Sequence, residues 1–506
     1  MAALYVVLAF VALVAYLWKS VSRKDLPPGP SPLPIIGNTH QLIYGSLQGK
    51  SNVEVMKEWK RTYGPVFTMW LGPMPVVLTC DYKTTMEAFV KHGDAQADRP
   101  DTFCFNKMRN RYGLIFSTGP GWQEQRRFSM QTLRDFGVGR NIMQQRILEE
   151  AHFRFGFWDT QIDVSDKGYI VTNPRAYMDL IIGSIINVLI VGYRYDESNM
   201  TEFAQLRRSV DLQFDVLTQF DFVLFNEVTH KLPFLKNRWN SVSAPVYNTM
   251  AYMKKQIEER RAKIASGEHE ISDEPEDYID AYFQEIERRK LNGEPMGWFS
   301  DETLAVNLND LWAAGSETTV TTILWGLVYL LNYPKIQDKM REEILSVTGG
   351  NRSVELADRT ALLYTMAVIT ETHRCTNLLN FNVLHKTASD TVMGDYLVPK
   401  GTTTTCQLSL ILEDDEDFPD PEQFNPDRYL KNKKLVERVI PFSVGKRSCL
   451  GESLARAEMF LILPNLIQKY KVSVPEGQNP PRMGNITKET MLKRSVPFEM
   501  KIEKVN

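Results

Sequence analysis

The run Phe442-Ser443-Val444-Gly445-Lys446-Arg447-Ser448-Cys449-Leu450-Gly451 places one cysteine behind a glycine turn and between basic side chains. A Cys thiolate is a strong iron ligand, and its pKa falls beside Lys or Arg or at a helix N-terminus. Residues 452–470 keep Leu454, Ala455, Met459, Leu461, Ile462 and Leu466 at helical spacing, so the positive end of a helix dipole should meet Cys449. Gly445 and Gly451 lack a Cβ, which lets the backbone turn tightly and approach a flat ligand closely. A lone cysteine is most often a small buried hydrophobe, and Cys80, Cys104, Cys375 and Cys406 are read that way. Around Cys449 four fixed positions coincide, which favours a ligand.

A second constellation, Asp310-Leu311-Trp312-Ala313-Ala314-Gly315-Ser316-Glu317-Thr318-Thr319, lies inside a long helical pattern over 304–331. Ala313, Ala314 and Gly315 thin the helix, and Thr318 follows Ala314 by one turn on the same face. A mid-helix Thr can donate to the i−4 carbonyl, bending the helix and opening a polar gap. Glu371 and Arg374 stand at i, i+3 on another predicted helix; at the surface such a pair is worth about 0.2–0.5 kcal/mol.

The elements that must hold these residues are mostly helices. Apolar residues recur at i, i+3 and i+4 over 178–192, 247–264, 276–289, 334–347 and 362–379. Residues 63–79 read as a β-hairpin, and short strand-like pieces return over 380–409 and around Val472 and Phe498. The fold class expected is mainly α with small β-sheets, in one catalytic domain over 38–506. The acidic runs 268–277 and 413–420 read as solvated loops. Gly45-Ser46-Leu47-Gln48-Gly49-Lys50-Ser51 resembles a phosphate loop but has three residues between its glycines where four are needed, and no strand precedes it. With no dinucleotide fingerprint either, electrons must come from another protein.

Composition sets the remaining bounds. A net charge of −3 on 506 residues gives no bias toward nucleic acid, and none is expected as a partner. Five scattered cysteines do not form a disulfide framework. Ala2 to Trp18 carries no charge and is followed by Lys19, Arg23 and Lys24. At about 1.5 Å per residue that stretch spans roughly 25 Å, close to the thin hydrocarbon core of the endoplasmic reticulum membrane. Residues 1–18 are therefore expected to be an uncleaved single-pass anchor with the rest of the chain in the cytosol. Pro27, Pro28, Pro30 and Pro32 then forbid a helix and make 19–37 a stiff basic and proline-rich hinge.

The pattern F-x-x-G-x-R-x-C-x-G, the proline-rich stretch, A-G-x-E-T-T and E-x-x-R, in that setting, resemble the microsomal cytochromes P450 of the animal class that oxidises drugs and fatty acids. The resemblance runs from Pro27 to Gly451. It implies the cytochrome P450 fold and haem b with Cys449 as axial thiolate, set in the loop of Phe442 and Gly445. It implies Glu317 and Thr318 as the acid and hydroxyl of a proton relay, on a helix whose Ala314 borders the haem. Trp122-x-x-x-Arg126, Arg447, Arg99 and His385 match positions that reach the haem propionates, though Leu384 stands where relatives often have proline. Glu371, Arg374 and Arg428 match a buried charge cluster behind the cysteine loop. The function implied is a monooxygenase inserting one atom of dioxygen into a lipophilic small molecule. NADPH serves it only through a cytochrome P450 reductase, with a b-type cytochrome as a possible second donor. A basic surface of Arg127, Arg134, Arg140, Lys446, Lys431, Lys433 and Lys434 would steer that donor. Phe103, Phe105, Phe214 and Trp312 would line an apolar pocket. The rival readings are a haem-thiolate isomerase or dehydratase, against which Glu317-Thr318 argues, and a non-catalytic haem-binding membrane protein.

Overall fold

The computed structural model describes residues 25–137, 141–483 and 492–505. The expected anchor and Arg140 lie outside the described residues. Two kinds of layer meet in the described part. A four-stranded sheet, ordered β1-β2-β7-β4, contains β1 (Val66–Leu71), β2 (Met74–Thr79), β4 (His385–Lys386) and β7 (Thr403–Cys406). The β1–β2 hairpin pairs Val66 with Thr79 and Leu71 with Met74. Pro75, which cannot donate to a ladder, falls outside the Val76–Thr79 stretch that pairs with β7. A second sheet joins β3 (Tyr169–Thr172) and β8 (Tyr470–Ser473) through β9 (Met500–Lys504), and β5 (Thr391–Met393) pairs with β6 (Tyr396–Val398).

The proline-rich segment is sewn to the first sheet. Thr68 donates its N–H to the Pro28 carbonyl at 2.9 Å and its hydroxyl to the Pro27 carbonyl at 2.7 Å. A Cβ on Gly29 would sit 1.9 Å from the Thr68 carbonyl oxygen, so only glycine fits there. Asn38, wholly buried, donates to the Pro30 carbonyl and accepts from the Trp70 N–H. Residues 27–38 are therefore fixed to the first sheet by backbone and side-chain hydrogen bonds.

Ten helices carry the site: α1 (Phe103–Arg109), α2 (Gly119–Asp135), α3 (Asn141–Asp163), α4 (Pro174–Val191), α5 (Met200–Val216), α6 (Lys236–Ser266), α7 (Asp301–Asn332), α8 (Pro334–Thr348), α9 (Leu363–Thr376) and α10 (Glu452–Lys469). α4 starts behind an Asn173 cap with Pro174 in its first turn and stops at Gly192 in the left-handed region. It is apolar enough to cross a membrane, but two-thirds of it is packed inside the fold, against α7. α7 starts on the Ser300 cap, which accepts from the Thr303 N–H, and α8 begins at Pro334. From Thr303 to Leu331 α7 is buried except at Leu311, Ala314, Gly315 and Thr318. Those four stand at i, i+3, i+4 and i+7, a single stripe on an otherwise core helix. Gly315 is needed at the crossing: a Cβ there would lie 2.8 Å from Ile186 of α4.

The expected cluster behind the cysteine loop is formed. Arg374 grips both oxygens of Glu371 at 2.8 Å, and Arg428 donates to the same carboxylate at 3.0 Å. Tyr429, not anticipated, donates its hydroxyl at 2.7 Å, and the Asn425 N–H completes the shell. Burial works to raise the Glu371 carboxyl, but its donors, Arg374 foremost, hold it below the ordinary value. Both Glu371 and Arg374 are wholly shielded from solvent, so removing one partner leaves a bare buried charge. Arg374→Ala should cost about 3–5 kcal/mol in chemical denaturation, far more than a surface pair would. A loss below about 1 kcal/mol would contradict the buried arrangement.

Candidate functional site

The loop bearing Cys449 is shaped by two left-handed residues, Ser443 (φ 60) and Gly445 (φ 81). A Cβ at Gly445 would stand 2.0 Å from the Phe89 carbonyl oxygen, so glycine allows the loop to lie against the segment Glu87–Lys91. The Ser448 N–H closes a turn on Gly445, and the Cys449 N–H donates to the Phe442 carbonyl at 3.0 Å. Phe442 is wedged between the Arg456 guanidinium at 4.7 Å and the His373 ring at 5.3 Å. Cys449 is the exposed cysteine of the five. The sequence alone suggests a lowered thiol pKa; surrounding protein instead pushes it up, with the Gly451 N–H, Arg126 and Arg456 pulling the other way. A cation bound at sulfur would have to complete the thiolate.

Around this loop the structure gathers buried cations. Arg447 stacks 3.4 Å over the Trp122 ring and donates to the carbonyls of Ala97 and Ser117, both at 2.7 Å. Arg126 reaches the Ser448 carbonyl at 2.7 Å from α2. Arg99 donates to the carbonyls of Ile115, Val383 and Leu384. Burial, then neighbouring guanidinium charge, pulls Arg447 to about 8 and Arg99 to about 9. A guanidinium keeps its proton, so depressions of this kind mark cations short of an anion. Among the described residues none of the three forms an ion pair with a carboxylate, and the buried Trp122 Nε1 and Arg447 Nη1 have no partner. Native interiors leave few such groups unmatched. Two buried donors and three guanidiniums beside an exposed cysteine fit a flat dianionic ligand held through its metal, and the propionates and iron of haem are of that kind.

His385 does not join this set. Its Nδ1 bonds to the Gln96 carbonyl at 2.6 Å and its Nε2 to the Asn382 amide at 3.0 Å, leaving neither nitrogen for an anion. Asn382 also holds the Ser443 hydroxyl at 2.7 Å, so His385 braces the cysteine loop. Burial and the charge of Arg99 hold it well below the ordinary histidine range and keep it neutral.

On α7, Ala314 and Thr318 lie on the half-buried stripe, and the Thr318 hydroxyl donates to the Ala314 carbonyl at 2.6 Å, the i−4 bond expected. Glu317 departs from its expected place. It is wholly buried, with Arg175 of α4 at 3.0 Å, Arg494 at 2.6 Å and Arg207 of α5 also in contact. Burial raises its carboxyl, yet the charges of Arg207, Arg175 and Arg494 outweigh it and bring the value to about 2. An acid so held carries no proton at neutral pH. Behind the same stretch, Glu458 of α10 is buried beside Thr319, with Oε1 unpartnered, and burial pushes it up to about 8. Trp312, expected in the pocket, is wholly buried on another side of α7.

Asp310 was legible only as a polar residue in an apolar helix, but it ties the site together. It binds Arg109 of α1 and accepts the N–H groups of Leu114 at 2.8 Å and Ile115 at 3.2 Å. Residues 114–117 thus bridge α7 to Arg99 and Arg447 of the cysteine side. Phe105 stacks on Phe116 at 3.6 Å and reaches Phe222 at 5.3 Å, giving the apolar wall expected of this region. Phe103 instead leans on His230 and Trp239, and Phe214 packs against the main core.

The family model described as Cytochrome P450 matches residues 27–502. Among curated relatives, the probable cytochrome P450 cyp-35D1 of Caenorhabditis elegans is 33% identical over 471 residues, 92% of this chain and 93% of its own. Cytochrome P450 2H1 of Gallus gallus is 34% identical over 461 residues, covering 90% and 89%. Cytochrome P450 2C11 of Rattus norvegicus is 34% identical over 464 residues, covering 91% and 89%.

The arginine-held Glu317 gives a signed pH dependence. Its folded value of about 2 lies below the ordinary 4.5, so its stabilisation is complete above pH 4.5 and fades as pH falls toward 2. The difference is on the order of 3 kcal/mol. Urea unfolding of Glu317→Gln beside the parent should show the widest gap at neutral pH and a narrowing gap toward about pH 3. A gap independent of pH would refute the assignment.

Proposed function

The chain belongs to the cytochrome P450 family and is a haem-thiolate monooxygenase, and on that premise we propose that it oxidises a lipophilic small molecule with electrons passed from NADPH by a partner reductase. The carrying observation is the set of unpaired cations and donors, Arg99, Arg126, Arg447 and Trp122, around the exposed Cys449. Haem bound there through Cys449 would supply dioxygen activation, which thiolate ligation favours.

The chain's own residues do the rest. Arg447, Arg126 and Trp122 hold the anionic edge. Phe105, Phe116 and Phe222 exclude water and receive an apolar substrate: a xenobiotic, fatty acid or steroid-like molecule. Thr318 holds a proton at Oγ1 on the open stripe of α7. Glu317 fixes the rotation of the helix, so that Thr318 stays on that stripe, in place of donating the proton itself. Glu458 is the acid beside this turn that holds a proton at neutral pH.

Outward, Arg127 and Arg134 of α2 and Lys431, Lys433 and Lys434 are exposed, with no ion pair among the described residues. Arg126, on the same helix as Arg127, contacts the cysteine loop, which supports this face as the reductase dock. Lys446 is partly spent on Asp94. The uncharged residues 2–18 followed by basic ones support a single-pass endoplasmic reticulum anchor with the catalytic domain in the cytosol.

The reduced carbon monoxide difference spectrum of the membrane-bound protein tests the reading. A strongly red-shifted Soret band, lost in Cys449→Ser, is expected; a band unchanged by the substitution would exclude Cys449 as the ligand. Thr318→Ala should keep that band but lower product formed per NADPH, with the rate of product formation falling on the order of 100-fold. Unchanged coupling would remove Thr318 from the proton path.

A further inference from the structure

A cluster of oxidisable side chains leads from α7 to the surface, and the monooxygenase reaction does not use it. Trp312 is wholly buried on the flank of α7 that adjoins the open stripe, one position from Leu311 and three from Gly315. Its indole N–H lies beside the Tyr195 hydroxyl without a full hydrogen bond. Tyr195 is 3.4 Å from the Tyr252 hydroxyl of α6, and Tyr252 is 2.8 Å from that of Tyr193. Both Tyr193, at 2.5 Å, and Tyr252, at 2.9 Å, donate to one oxygen of Glu202, in the first turn of α5. The series ends in water: Tyr193 and Glu202 line a surface cleft of about 250 Å³ with Lys255 and Arg260.

Satisfying a buried hydroxyl needs one partner, and Asn187 already serves Tyr195 at 3.0 Å. Convergence of two phenols on a single carboxylate oxygen does more than that. Oxidising a phenol requires its proton to leave with the electron, because the phenol radical cation is a very strong acid. Burial raises the pKa of all three tyrosines, so they begin protonated. Glu202 stands where that proton must go.

We propose that Trp312, Tyr195, Tyr252 and Tyr193 form a one-electron exit that discharges haem oxidised without substrate, with Glu202 as the proton acceptor. The inference rests on the haem-thiolate reading. One electron passes from Tyr193 through Tyr252, Tyr195 and Trp312 to the oxidised haem, which is reduced by one equivalent. The phenolic proton moves to Glu202, leaving a neutral tyrosyl radical at the cleft. A small water-soluble hydrogen-atom donor, a thiol or an enediol, returns the hydrogen atom there, and Glu202 releases its proton to water. The route protects the haem and the apolar pocket when dioxygen is activated with nothing to oxidise.

The experiment uses the holoenzyme, first shown to give the red-shifted carbon monoxide band, then treated with hydrogen peroxide without substrate. Freeze-quenched electron paramagnetic resonance should show a tyrosyl radical. A nitroso spin trap with peptide mass spectrometry should place the adduct on Tyr193. Tyr193→Phe with Tyr252→Phe, which keeps both rings, should abolish that adduct and bleach the haem severalfold faster. Glu202→Gln should weaken the radical signal with every tyrosine in place. A trapped radical elsewhere, or equal bleaching in parent and variants, would overturn the exit while leaving the monooxygenase reading intact. Absence of the carbon monoxide band would overturn that reading instead, and the exit with it.

Discussion

A carboxylate removed from water must be given cations, and the site is arranged around that demand. α7 is buried along nearly all of its length yet carries Asp310 and Glu317. Arg109 meets the first; Arg175, Arg207 and Arg494 meet the second. Because these arginines come from α1, α4, α5 and the C-terminal segment, they fix the helix in rotation as well as in position. The stripe of Leu311, Ala314, Gly315 and Thr318 is the part of its surface left over once the charges are satisfied. The open stripe on this helix is thus what electrostatic packing leaves uncovered.

The cysteine side shows the converse imbalance. There Arg99, Arg126 and Arg447 have no carboxylate partner among the described residues, and backbone carbonyls take its place. Carbonyl dipoles reduce the cost of burying a guanidinium without neutralising it. The two halves therefore select opposite things: α7 is closed to further charge, and the loop of Cys449 calls for negative charge from outside the chain.

Local signals were enough for much of this. The hairpin, the long core helix and the cysteine loop each follow from spacing and turn residues within a few positions. α3 escaped because Ile142, Phe153 and Phe157 are exposed, so apolar residues occur on both of its faces and blur the period. Thr318 was readable because its bond to Ala314 is local. Glu317 was not, since its arginines lie 142, 110 and 177 positions away and no spacing rule announces them. The same holds for His385, whose two partners, one of them Gln96 far upstream, turned an expected ligand contact into a brace. Asp310 could have been suspected from chemistry alone, because an acid on an apolar helix needs a partner, though not which one.

The stitching of residues 27–38 onto β1 has a mechanical consequence. Bonded through Pro27, Pro28, Pro30 and Asn38, the proline-rich stretch is a handle rigidly fixed to the first sheet. A pull applied at Pro27 is carried straight into β1, so the first sheet follows the direction of this segment instead of pivoting about it.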